Sequence, residues 1–122
     1  MLHDPKWHDD STQDRISRLL RIEPMIAWAK TKDPNEEFEW SSSLDCFLGQ
    51  YFRAHGIDVV VSSRWLRGCY IFDGTCDIPY TIQEIVKGGL SGDDLEKRRF
   101  LLTFGEVLAC AQSCLTTQES IL

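Results

Sequence analysis

The chain has 122 residues, 43% of them hydrophobic, with 13 basic and 19 acidic side chains and a formal net charge of −6. That length predicts one domain able to bury about two thirds of its unfolded surface, and the acidic balance argues against direct binding of nucleic acid, whose phosphates such a surface repels. No apolar run approaches the roughly 20 residues of a membrane span, and MLHDPKWHDD lacks the basic-then-apolar order of a signal peptide, so the expectation is a soluble protein of the cytoplasm.

Residues 1–10 are polar and without periodicity, and are expected to form a flexible arm ahead of a single α+β domain over 11–122. Ser11 and Asp14 form a capping-box pair before Ile16, Leu19 and Leu20, the start of a helical stripe. Pro24 should break or restart that helix, and a first turn is where proline is tolerated, so EPMIAWAK reads as a second short helix. DPNEE (33–37) has the composition of a turn and FEW (38–40) of a short extended piece.

SSSLDCFLGQYFRAHG (41–56) reads as a helix. Ser42 and Asp45 offer side chains to its first amides, and Gly56 closes it in the left-handed conformation. Leu44, Phe47, Leu48 and Tyr51 recur at offsets of three and four, with Phe52 at the edge of the stripe. Gly49 costs up to about 1 kcal/mol against alanine inside a helix, which predicts the close approach of another backbone.

IDVVVSS (57–63) is β-branched and alternating, the clearest strand in the chain, and GCYIFDG (68–74) is its expected partner, with SRWLRG as the link that exposes Trp65. Thr81 is the candidate N-cap of a short helix through Ile82, Ile85 and Val86 that stops at Gly88. Ser91 with Asp94 caps the next helix, whose acids come first and bases last, matching the helix dipole. Thr103 with Glu106 caps a C-terminal helix that carries Phe104, Val107, Leu108, Ala111 and Leu115 and is expected to reach about residue 116. The sum is an α-rich α+β domain of four to six helices with a small antiparallel sheet or hairpin at about 57–62 and 69–72.

The candidate chemistry is sparse. The five cysteines, Cys46, Cys69, Cys76, Cys110 and Cys114, are an odd number in a chain without an export signal, which points to reduced thiols. Cys69, Cys76, Cys110 and Cys114 were they to converge would suit zinc, but six residues between the first two is wide for a structural pair, and no metal or cofactor is expected. Cys46 and His55 lie roughly 13 Å apart along a regular helix, too far for a thiol and its base. KGGLSGDD (87–94) precedes a helix, yet Asp93 and Asp94 occupy the place of a phosphate, so it reads as a loop. None of the motifs HExxH, GxSxG, GxxxxGK[ST] or GxGxxG occurs.

Trp28, Lys32, Asp33 and Pro34 in IAWAKTKDP, Cys46, Leu48, Gln50, Tyr51, Arg53 and Gly56 in DCFLGQYFRAHG, and Thr103, Phe104 and Gly105 in FLLTFGEVLACAQ together resemble a loose group of small uncharacterised proteins from phages and proteobacterial prophages. The likeness covers roughly residues 24–56 and 100–112. It implies kinship of fold, and it raises the class of small acidic phage proteins that antagonise host defence, anti-CRISPR proteins among them, by occupying a basic surface meant for nucleic acid.

The functional expectation is therefore a non-enzymatic protein-binding domain, an inhibitor of a bacterial defence complex acting in the host cytoplasm. Asp33, Glu36, Glu37, Glu39, Asp73 and Asp77 would meet Lys or Arg of a basic partner such as a CRISPR effector complex, and Trp40 or Trp65 would supply an aromatic anchor. The rival reading is a small enzyme or ligand-binding protein with a pocket around Cys46, Gln50 and Tyr51, and a third is a homodimer joined through exposed tryptophans.

Overall fold

The computed structural model describes residues 14–68 and 75–121. The first ten residues, and with them the expected arm, lie outside that range, as do Ser11, Cys69 and Asp73. A helix over residues 14–19 (α1) breaks at Leu20 and Arg21, and α2 restarts at Ile22–Ala29 with Arg21 in an extended conformation ahead of it. Pro24 falls in the first turn of α2, where an N–H would have no partner within the helix, so its absence costs no helical hydrogen bond.

Strand β1, Glu37–Glu39, pairs antiparallel with β5, Leu101–Thr103, in the register Phe38 opposite Leu102. Phe38 and Leu102 both point into the core while their neighbours face outward, the period-two pattern of a half-buried ribbon. The sequence signals the β1 segment but not β5, whose three residues read only as the lead-in to a helix cap.

Helix α3, Phe47–Ala54, starts later than its Ser42–Asp45 signature predicts. The amide of Asp45 does donate to Ser42 Oγ at 2.9 Å, but the bond closes a turn, and Cys46 is the residue that precedes the helix. Leu44, expected in the apolar stripe, is consequently 47% exposed. Its carbonyl explains Gly49: a Cβ there would stand 2.2 Å from Leu44 O, so only glycine lets the turn fold back on the helix. At the other end Gly56 has φ +81°, the left-handed stop the sequence requires.

The second sheet has three strands in the order β2, Val59–Val61; β3, Trp65–Gly68; β4, Thr75–Asp77, all antiparallel. Here the expected pairing is corrected. The partner of Val59–Val61 is Trp65–Gly68, the stretch that reads as a link, with Val60 opposite Arg67. Ser62 donates its amide to the Trp65 carbonyl at 2.7 Å and so tightens the hairpin three residues earlier than the glycine-bracketed segment suggests. Most of that segment, residues 69–74, lies outside the described range.

Helices α4, Tyr80–Val86, and α5, Gly92–Lys97, follow, and α6 runs Phe104–Ile121, past the expected end near 116. Pro79, not Thr81, precedes α4, and Gly88 and Gly89 end its turn at φ +64° and +75°. Ser91 caps α5 as expected, accepting the Asp94 amide at 3.2 Å. Two non-glycine residues, Arg99 and Phe100, then take left-handed conformations to turn the chain into β5. The architecture is α-rich α+β.

The core is an aromatic cluster held between α2, α3, β1 and α6. Trp28 sits 5.3 Å from Phe47, 5.5 Å from Tyr51 and 5.7 Å from Phe104, ring centre to ring centre, and Phe38 packs 5.0 Å from Phe104. Tyr51, with no solvent exposure, donates its hydroxyl to Leu19 O at 2.7 Å, which ties α3 to α1 and satisfies its buried phenol oxygen.

Candidate functional site

The alternation of β1 decides where its acids go. Since Phe38 must face the core, Glu37 and Glu39 face solvent on the same side of the strand. The preceding turn is built by Asp33, whose carboxylate accepts the Asn35 amide at 2.9 Å and whose carbonyl accepts that of Glu36 at 3.0 Å. Glu36 lies 3.6 Å from Lys32, and Lys32 in turn sits over the rings of Trp28 and Phe104 at 5.5 and 5.2 Å. Of the four acids expected in this segment, Glu37 and Glu39 are thus the pair presented outward by strand geometry. Glu37 also lies near enough to Arg98 to help raise its pKa.

Trp40 follows directly. Its amide donates to Phe100 O at 2.7 Å and its indole stacks on Phe100, centroids 6.1 Å apart and planes 24° apart, so the ring is fixed in one orientation. It forms a wall of two hollows, one with Cys46, Val61 and Ile78, the other with Arg64, Tyr80, Lys87 and Phe100. Trp65 and Asp77 face each other across β3 and β4, and Trp65 is 36% exposed. The expected contact residues accordingly form two groups, the Asp33–Glu39 ribbon and the Trp65–Asp77 pair, with Trp40 beside the first.

Sequence reasoning missed Tyr80, which at 73% exposure is the most exposed large apolar residue described. It opens α4 beside Pro79, and the available signal was its place off the Ile82, Ile85, Val86 stripe. It also missed the partner of Glu106. The capping box itself forms in both directions: Glu106 accepts the Thr103 amide at 2.9 Å and Thr103 Oγ accepts the Glu106 amide at 3.2 Å. Arg98 adds a two-pronged ion pair, its Nη2 2.6 Å from Glu106 Oε1, and this guanidinium holds the carboxyl below its ordinary range.

The thiols show a different environment. Cys46 is 5% exposed, and burial raises its pKa against the opposing pull of the Gly49 and Leu48 amides. Burial likewise raises Cys76, and it pushes Cys110 up to about 11 with the help of Cys114, one turn further along α6. Among the described residues no group of three or more His, Cys, Asp or Glu is placed to share a metal ion. His55 Nδ1 lies 2.8 Å from the Tyr51 carbonyl, and the His55 carbonyl accepts from Arg15 at 2.8 Å, so this histidine is part of the α3 terminus.

Cys46, Gln50 and Tyr51 do not share a pocket. Cys46 faces the hollow beside Trp40. Gln50 donates its amide to Asp45 O at 2.7 Å and borders a shallow groove with Trp28 and Lys32. Tyr51 is sealed in the core.

Of the thirteen residues on which the expected kinship with small phage proteins rests, several have a local structural duty. Gly105 donates to Pro34, Lys32 covers Phe104, Arg53 pairs with Asp45 at 3.1 Å, and Gly56 turns the chain. Among the described residues no helix is long and apolar enough to cross a membrane. Comparison with protein-family models, curated proteins and solved structures found no match.

Proposed function

We propose that the protein is a binding domain that docks its acidic ribbon against a basic surface of another protein, and that it acts in a bacterial cytoplasm as a phage-derived inhibitor of a defence complex of the CRISPR effector type. The observation that carries this reading is the burial pattern of β1. Phe38 is anchored in the core, and the anchor directs Glu37 and Glu39 outward side by side, next to an indole locked by Phe100. Two carboxylates on a rigid strand beside a fixed aromatic ring suit a basic partner, because charges give steering and register while the ring supplies desolvated area. The chain's net charge of −6 extends the same attraction to longer range.

The test is direct binding to purified effector complexes with and without bound guide and target nucleic acid. The reading expects binding that competes with nucleic acid and weakens as salt rises. Binding that is indifferent to both would sink it.

A further inference from the structure

The hollow behind Trp40 has a chemistry that the acidic ribbon does not use. It is a cavity of about 250 Å³, part open to solvent, formed where the start of α3, the β2–β3 hairpin and α4 meet. Its inner wall is buried and apolar: Cys46, Phe47, Leu48, Ile78 and Val86 are each less than 10% exposed. Its rim is hydroxylic, made by Ser41, Ser62 and Ser63, and no hydrogen bond among the described residues occupies those three side-chain oxygens. Among the described residues no charged side chain lines it.

We infer that this cavity is a binding site for a small neutral organic molecule with a flat apolar body and a hydrogen-bonding group at one edge. Size, charge and polarity each contribute. An apolar cavity of roughly 150 Å³ suffices for benzene, so this one has room for a fused pair of rings. An ion placed here would lose its hydration against a wall that offers no countercharge, which selects a neutral occupant. The segregation of apolar floor from hydroxyl rim orients that occupant, body inward and polar edge toward the serines. The site does not use Glu37 or Glu39 and shares only Trp40 with the proposed docking face, so charge reversal of the two acids separates the two proposals.

The experiment titrates the ¹⁵N-labelled full chain with 2-naphthol and, as the charged counterpart of the same shape, naphthalene-2-sulfonate. 2-Naphthol is expected to give saturable shifts at the Trp40 indole and at the Val61 and Ile78 amides, and the sulfonate none. Ser62→Leu plugs the rim from a half-buried position, and Val86→Phe fills the interior; each is expected to weaken 2-naphthol at least about tenfold. Absence of saturable shifts with 2-naphthol overturns the inference, as does equal binding of the sulfonate, or undiminished 2-naphthol binding by folded Ser62→Leu protein.

Discussion

The amide of Gly105 donates to the carbonyl of Pro34 at 3.0 Å, and a Cβ on Gly105 would stand 2.8 Å from that same oxygen. The Asp33–Pro34 turn is therefore laid directly on the first turn of α6. The adjoining amide, that of Phe104, donates to Glu36 O at 3.0 Å, and Lys32 closes the joint from above over the Phe104 ring. Two segments about seventy residues apart are clamped together in this way, and the clamp sets the level at which β1 meets β5. The outward aim of Glu37 and Glu39 depends on it.

Gly105→Ala is expected to cost about 1–3 kcal/mol, because the obstacle is backbone and cannot swing aside. Gly92→Ala is the control: nothing stands within 4 Å of a Cβ there, and the change should stay within about 0.5 kcal/mol. Urea denaturation of both variants compares them. Equal stabilities would show that the joint is slack.

Glu106 gives a prediction in pH. Its folded pKa lies below the ordinary 4.5 because Arg98 and Thr103 hold the charged form. The stabilisation is therefore complete above pH 4.5 and is lost as pH falls through the lowered value. Glu106→Gln should be less stable than the native chain at neutral pH by about 1 kcal/mol, a discounted figure for a pair that is one third exposed. The two proteins should converge in acid, as thermal unfolding across pH 3–7 will reveal. A constant gap would assign the effect to packing.

Cys46 is expected to be inert. Burial raises its pKa and leaves the residue 5% exposed in the wall of the hollow, so little thiolate is present to react in the folded chain. Mass-resolved alkylation at pH 8 should label Cys46 at least about a hundredfold more slowly in the native chain than in urea. Labelling at the rate of the denatured chain would return this thiol to the list of candidate nucleophiles.

What could be read in advance divides by range. Caps and stops are local, and Ser91–Asp94, Thr103–Glu106 and Gly56 behave as their residue types require. The β1–β5 ribbon joins residues more than sixty positions apart, and three-residue strands carry too little pattern to announce a partner. At Trp65–Gly68 the bracketing glycines pointed to the wrong strand, because the Ser62–Trp65 bond rather than glycine forms the hairpin. Arg99 and Phe100 take positive φ without the residue types that favour it, so tertiary context overrides propensity there. At the site, the exposure of Glu37 and Glu39 follows from alternation about Phe38. The fixing of Trp40 by Phe100, and the dispersal of Cys46, Gln50 and Tyr51 to three separate surroundings, follow only from the assembled fold.

The outward acids of β1 are the centre of this account, and charge reversal tests them most directly. Glu37→Lys with Glu39→Lys leaves the Lys32–Glu36 pair in place, and adding Glu36→Lys extends the reversal to the turn. The measurement is affinity for the proposed effector complex as a function of salt, on variants shown by circular dichroism to be folded. The double reversal is expected to weaken binding at least about tenfold and flatten the salt dependence, with the triple reversal going further. Native affinity with an unchanged salt slope would contradict it.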